Sequence, residues 1–419
     1  MEQPNLAMIA SGVKATKLYS IIPESGVGDF TFARTSTAYR LNKDGLWESS
    51  AANLPRLHYD LTNGNPDSCP CLLLEPASTN ILGYSETFSS WGQTRSAIVA
   101  DSIMSPDGSV NASKMKDDGS TGTDTSQRFL SVTVEEDEDY HFSVFAKKGS
   151  MDFIALRTGN FTNGGGTGET FFNLATGAVG TTYANHTASI EKYPNDWYRC
   201  IIKFTSGTDL SGTLLIRQAS ADGTSTVTLD GNSFVYLWGA QFEKSTFVTS
   251  YIKSDSNSQT TRSAETCNSA GDASTFNSEQ GVLFAEFNSK NTSLISITLF
   301  GSDSNKVLIY ANSGDHIVFR IRVGGTYVYT HTKTGLDLKN VQKVALAYKN
   351  NNIKAYVNGT LVNSSTSAAI TYSANTLTAI NFDDATINDF YGKVKDIRYY
   401  DTEGMTDTEI NNLLTQLTQ

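Results

Sequence analysis

Charge is scarce in this chain. Only 18% of its 419 residues are Asp, Glu, Lys or Arg, against about 25% in ordinary soluble proteins. Basic residues are the scarcer kind, 32 against 43 acidic ones, for a net charge of −11. No stretch gathers Lys and Arg into a basic face, so general nucleic-acid binding is not expected. Five histidines are scattered at His58, His141, His186, His316 and His331. None forms an H-x-H or H-E-x-x-H pair, which argues against a catalytic metal. Of the four cysteines, Cys69 and Cys71 are separated by one residue, too close for an ordinary disulfide. Reduced thiols, as in a protein assembled in a reducing cytoplasm, are the expectation. There are 8 prolines, and runs of strong helix formers are few. No apolar run approaches the ~18 residues of a membrane-spanning helix, so no membrane insertion is expected. The first twenty residues lack a basic segment followed by an apolar core, so no secretory signal is expected.

Gly, Ser, Thr and Asn fill the space that charge leaves, and 11% of residues are aromatic. This mix favours strands and turns, and the fold class expected is all-β. Residues 1–83 are irregular, with Leu57, Tyr59 and Leu61 alternating with His58 and Asp60. The block is too small and too polar for a core of its own. It reads as an attachment or collar region that packs on a neighbouring domain or subunit. That need predicts a symmetric oligomer, with a trimer as first candidate. From 84 to 252, strand-like runs recur roughly every ten residues, the rhythm of a β-sandwich, here a jelly roll. Tyr140, Phe142, Val144 and Ala146 share one strand face. Trp197, Ile201 and Phe204 do not alternate cleanly, which predicts a bulge or two covered faces. Residues 253–280 are polar and small, the composition of a linker or extended crossover.

Residues 281–419 form a second strand-rich block. Val282 and Phe284 lie on one face of residues 281–288, and Leu283, Ala285 and Phe287 on the other, so both faces need cover. Asn358-Gly359 predicts a tight hairpin. Thr406 and Glu409 have the spacing of a capping box, and Ile410, Leu413, Leu414 and Leu417 share one face of the short helix that follows. Together these features look like the concanavalin A-like (laminin-G-like) lectin fold.

One constellation spans most of the chain. Phe30-Thr31-Phe32-Ala33-Arg34-Thr35-Ser36 leads on to Leu72-Leu73-Leu74-Glu75-Pro76. Thr79-Asn80, Tyr84-Ser85-Glu86, Phe88 and Trp91 follow. Downstream come Asp196-Trp197-Tyr198-Arg199, Trp238-Gly239-Ala240-Gln241-Phe242-Glu243, Thr249-Ser250-Tyr251-Ile252 and Thr261-Arg262-Ser263-Ala264. In this order the pieces resemble a pattern in tailed-bacteriophage structural proteins. The resemblance implies a virion component on a tail, fibre or baseplate, assembled in the bacterial cytoplasm with other virion proteins as partners. It names no catalytic residue.

Candidate chemistry is thin. The acidic run Glu135-Glu136-Asp137-Glu138-Asp139 reads as a solvated turn. Asp383-Asp384 and Asp389 are hard oxygen ligands that suit calcium, the one cofactor the sequence leaves open. Gly164-Gly165-Gly166-Thr167-Gly168 lacks the lysine of a phosphate loop and reads as a flexible loop. For sugar stacking the candidates are Tyr327, Tyr329 and Tyr372, with host glycans as the partner. The expected function is therefore structural and non-enzymatic, with glycan-binding sandwiches used in host attachment. The alternative is a virion-associated polysaccharide depolymerase, a glycosidase on the concanavalin-like fold.

Overall fold

The computed structural model describes the chain except residues 1, 11–12, 15–16, 23–25, 163, 291–294, 313 and 385–388. Its architecture is all-β, with one α-helix among the described residues, Asp407–Thr418. Among the described residues no helix is long and apolar enough to cross a membrane.

The first sandwich consists of two six-stranded antiparallel sheets. One runs Gly92–Thr94, Gln127–Thr133, Ser211–Ala219, Phe153–Gly159, Gly168–Asn173, Ala178–Val179. The other runs Ser96–Met104, Val110–Asp117, Phe234–Lys244, Asp139–Lys148, Trp197–Thr205, Thr187–Tyr193. Tyr140, Phe142, Val144 and Ala146 point into the core between them, with Ile154, Leu156, Leu214 and Ile216 opposite. Trp197–Thr205 pairs with both neighbours without a register shift, so the missing alternation reflects two covered faces. Its second face, with Phe145 and Trp238, is covered by Leu41, Trp47 and Tyr251.

The second sandwich packs an eight-stranded sheet on a five-stranded one. The smaller sheet runs Thr326–Lys333, His316–Val323, Asn305–Asn312, Ile295–Ser302, Ala379–Asn381. Gln280–Asn288 lies inside the larger sheet with both faces buried, as its doubly apolar pattern requires. Leu283, Ala285 and Phe287 face the inter-sheet core, while Val282 and Phe284 face the helix. Thr406 caps that helix, its hydroxyl accepting from the Glu409 N–H while the Glu409 carboxylate accepts from the Thr406 N–H. Ile410, Leu413, Leu414 and Leu417 are buried on the sheet, each contributing roughly 1.5–3 kcal/mol. Thr406→Ala is expected to lower stability by about 1 kcal/mol, readable as a small drop in the denaturant midpoint. Asn358 and Gly359 both have positive φ, 47° and 79°, as a two-residue hairpin turn demands.

The N-terminal block does not stand apart. Gly392–Tyr400 pairs along one edge with Gln280–Asn288, and its other edge is shared end to end. Leu6–Ile9 takes residues 396–399, and Cys71–Leu74 takes residues 392–394. Arg56–His58 extends the sheet beyond Cys71–Leu74. Leu6, Met8, Phe30, Phe32, Leu72 and Leu74 are buried in the core of the second sandwich. The hairpin Ala38–Leu41/Trp47–Ser50 instead lies on the first sandwich, where the Trp47 ring meets Phe145, Tyr193 and Tyr251. The block therefore finds its core within its own chain, and the reason for expecting an oligomer falls away. Residues 253–280 are also not a solvated linker. Thr260–Arg262 pairs with Ser78–Asn80, and Thr266–Asn268 with Phe30–Ala33.

Candidate functional site

The polar motif residues converge where the N-terminal block meets both sandwiches. Arg34, Arg56 and Arg262 are each about 1% exposed or less, and Glu75, Glu243 and Glu265 are buried beside them. Arg34 donates to Glu265 at 2.7 Å. Arg56 donates to both Glu265 oxygens, at 2.8 Å through Nε and by a second contact through Nη2, and to Glu75 at 2.8 Å. Arg262 pairs with Glu75 at 3.0 Å and donates to the Pro76 carbonyl at 2.7 Å. Ser250 supplies Glu75 with N–H and O–H donors at 2.8 and 2.6 Å. Glu243 accepts from Ser78, Gln241 and Thr249. Asn80 donates to the carbonyls of Ala240 and Ile252.

Burial would push the Glu75 carboxyl up, but Arg262 and Arg56 outweigh it and hold it well below the usual range. The Arg56 guanidinium is raised, because Glu265 and Glu75 more than offset its burial. Glu75 and Arg56 thus stay ionised, and the network ties together segments up to 231 residues apart. It can hold structure. Glu75 and Glu265 are each engaged by arginines, and Glu243 by neutral donors.

Beside the junction opens a cleft of about 530 Å³, lined from all three blocks. Three carboxylates line it: Glu75, already held by Arg56 and Arg262, and two others that are each matched to a lysine. Asp60 is bound by Lys393, and Glu191 by Lys290 at 3.3 Å and the Tyr193 hydroxyl at 3.3 Å. Burial raises both carboxyls, yet Lys393 outweighs it for Asp60, and Lys290 with Arg199 for Glu191, so both are lowered. At neutral pH both accept hydrogen bonds and donate none. His58 also lines the cleft. Its Nδ1 accepts the Leu41 N–H at 3.2 Å, which leaves the proton of the neutral ring on Nε2. Burial, and then Lys393, lowers its pKa to about 3.

The three candidate tyrosines part company. Tyr327 is 43% exposed on the five-stranded sheet, whereas Tyr329 and Tyr372 are each 6% exposed. A bulge separates the first two: Tyr327 pairs with Arg322, and Tyr329 with the adjacent Ile321. Neighbouring residues of one strand point to opposite faces, so the bulge sends Tyr327 out and Tyr329 into the core. The Tyr329 hydroxyl donates to Asn363 at 3.0 Å. The Tyr372 hydroxyl donates to the carbonyls of Lys306 and Arg322 at 3.1 and 2.7 Å. Neither offers an open ring face. Two residues that the sequence reading did not single out, Tyr310 and Arg320, lie beside Tyr327. Arg320 sits between the rings of Tyr310 and Tyr327, at 4.9 and 4.8 Å from their centroids.

Other candidates resolve plainly. Glu135 and Glu138 pair with Lys244, and Asp139 with Lys203, a half-exposed charged turn. Asp383 accepts from Asn268 and Asp389 from Tyr391. Among the described residues no group of three His, Cys, Asp or Glu is placed to hold a metal. The glycines at 164–168 are not in a loose loop. A Cβ on Gly164 would lie 2.3 Å from the Thr205 carbonyl, and one on Gly168 2.3 Å from the Tyr183 ring.

Residues 282–411 match the family model described as the Concanavalin A-like lectin/glucanases superfamily. A search of characterised proteins returns no significant sequence match. Among solved structures, the CBM40 of Ruminococcus gnavus IT-sialidase bound to α2,3-sialyllactose is similar at 15% identity. That match covers 34% of this chain and 83% of that one, with a TM-score of 0.28. Domains LG4-5 of the mouse laminin α1 chain match at 9% identity over 65% and 85% of the two chains, TM-score 0.25. Trypanosoma rangeli sialidase matches at 12% identity over 93% and 82%, TM-score 0.26. Superpositions this loose carry no argument about activity. The chain is an all-β protein whose C-terminal sandwich is similar, over residues 282–411, to the Concanavalin A-like lectin/glucanases superfamily.

Proposed function

We propose that this chain is a non-enzymatic structural component of a tailed-phage particle, displaying its lectin-like sandwich to host-surface glycans. One observation carries the structural half of this reading. Arg34, Glu75, Asn80, Glu243 and Arg262, drawn from separate pieces of the motif, meet in one buried junction. A motif spent on fixing the relative placement of its blocks suits scaffolding better than catalysis. The virion assignment rests on the motif resemblance. The glycan half rests on the lectin-domain match and on Tyr327, an exposed ring on a sheet face. The apolar face of a pyranose packs on such a ring.

The test is retention of host-surface polysaccharide by the purified chain, with reducing ends measured in parallel. Binding without cleavage is expected, and Tyr327→Ala is expected to weaken it about tenfold, as loss of a buried aromatic anchor does. No retention of any host polysaccharide would remove the glycan half. Absence of the chain from purified particles, by mass spectrometry, would remove the virion half.

The cleft supports a second reading, a virion-associated depolymerase working between Asp60 and Glu191. A glycosidase needs one carboxylic acid that still carries its proton near neutral pH, and the lysines oppose that at both positions. Release of reducing ends, abolished by Asp60→Asn or Glu191→Gln, would put this reading in place of the first.

A further inference from the structure

We infer that the outward face of the five-stranded sheet takes a carboxylate-bearing saccharide, with Arg320 as the group that binds the carboxylate. This rests on the glycan-binding reading and names the class of sugar. The face is basic in an acidic chain. Arg320 and Arg322 lie on this side, and residues 316–333 contain no Asp or Glu, although the whole chain carries −11. Register places Arg320 opposite Leu308 and Thr330 on the flanking strands, so neither cross-strand partner is an acid.

The state of Arg320 is unusual. Tyr310 and Tyr327 hold its guanidinium between them at 4.9 and 4.8 Å, which fixes the plane without using its N–H donors. Its Nε is buried without a hydrogen-bond partner. None of the hydrogen bonds or ion pairs among the described residues involves it. The buried Nε is out of reach of an outside group, but the two Nη groups are not buried and have no partner among the described residues, so they are free to meet an anion from outside. Arg322 differs, because it already donates to the carbonyls of Gly325 and Asp303 at 3.0 and 2.9 Å. It adds positive charge, 5.3 Å from the Tyr327 ring. A planar guanidinium matches a carboxylate through two parallel N–H···O bonds. Tyr327, 43% exposed, then offers its ring to the sugar that carries that carboxylate.

The experiment compares uronic-acid oligosaccharides with their carboxyl-reduced neutral counterparts and with polyglutamate, by titration calorimetry on the full chain. Expected is binding of the uronate form at least tenfold tighter than of the reduced form. Arg320→Gln should abolish that preference, and Arg320→Lys should restore only part of it. Thermal midpoints close to wild type would show that the variants fold. Equal affinity for the acidic and reduced sugars overturns the inference but leaves glycan binding standing. Binding of no saccharide at all removes both. Polyglutamate binding as tight as the uronate also overturns it, since the face would then be a general anion surface. So does a preference that survives Arg320→Gln and is lost instead when Lys290 or Lys393 of the cleft is replaced.

Discussion

Glu265→Ala is expected to destabilise the protein by about 3–5 kcal/mol, the usual result of removing one partner from a buried ion pair. Glu265 accepts from Arg34 at 2.7 Å, from Arg56 through both oxygens, and from the Glu75 N–H at 2.9 Å. Alanine leaves two guanidiniums without their shared carboxylate in a region water does not reach. The size of the loss comes from stranding them and does not measure what the intact network adds over an apolar core. Glu265→Gln keeps the shape and part of the hydrogen bonding but not the charge, and should fall between alanine and wild type. A surface pair supplies the contrast. Arg40 and Glu48 lie 3.5 Å apart with Glu48 half exposed, so Glu48→Ala should change stability by less than about 1 kcal/mol. Urea unfolding of the three variants checks the ranking. If Glu265→Ala and Glu48→Ala prove equal, the junction is not what holds the blocks together.

Acid is expected to destabilise the protein over two successive windows. His58 has a pKa of about 3 in the fold and His186 one of about 4, both lowered by burial, against 6.5 unfolded. The unfolded chain therefore binds more protons below pH 6.5, and stability falls as pH drops from there towards 4. By linkage each histidine accounts for a loss of about 3 kcal/mol by pH 4. Glu75 acts in a second window. Its folded pKa is depressed, so its contribution is present above about pH 4.5 and drains away below it. Denaturant midpoints at pH 7, 5.5 and 4 should fall steadily in the wild type. His58→Gln, which retains an acceptor for the Leu41 N–H, should fall less steeply between pH 6.5 and 4. Parallel slopes for the two proteins would show that His58 is not held neutral by the fold.

Several elements were legible in the sequence because a local rule governs them. Strict alternation placed residues 140–147 in the core of the first sandwich, and doubly apolar residues 281–288 became a strand covered on both faces. The Thr406–Glu409 spacing marked the helix start. Three other strands escaped for physical reasons. Ser96–Met104 lies at a sheet edge with a register break between Val99 and Ile103 and with Val99 and Met104 exposed. It therefore shows neither alternation nor an apolar run. Val110–Asp117 mixes Lys114 and Lys116 with Met115. Thr187–Tyr193 is an edge strand and mostly half exposed.

The N-terminal block misled because its polar residues point inward. On Arg56–His58 the buried side chains are Arg56 and His58, while Leu57 is half-buried. An apolar-in, polar-out reading inverts that strand. Polarity also hid the role of residues 253–280, where Arg262 and Glu265 look like solvated charges until their partners arrive from residues 34, 56 and 75. At the candidate glycan face, even spacing put Tyr327 and Tyr329 together, and one bulge separated them. Arg320 could have been suspected from the acid-free run 316–333. Its position between two rings on neighbouring strands is set by register, which no local pattern encodes.

The central claim is that the N-terminal block is an integral part of the second sandwich, tied to the first through the buried ion junction. Hydrogen exchange at Cys71–Leu74 tests it most directly, because these residues pair with Gly392–Tyr400 and also carry the chain into Glu75. The claim requires those amides to exchange as slowly as those of Val282, Leu283 and Phe284 in the same sheet. Fast, loop-like exchange at Leu72–Leu74, with both sandwich cores still protected, would contradict it.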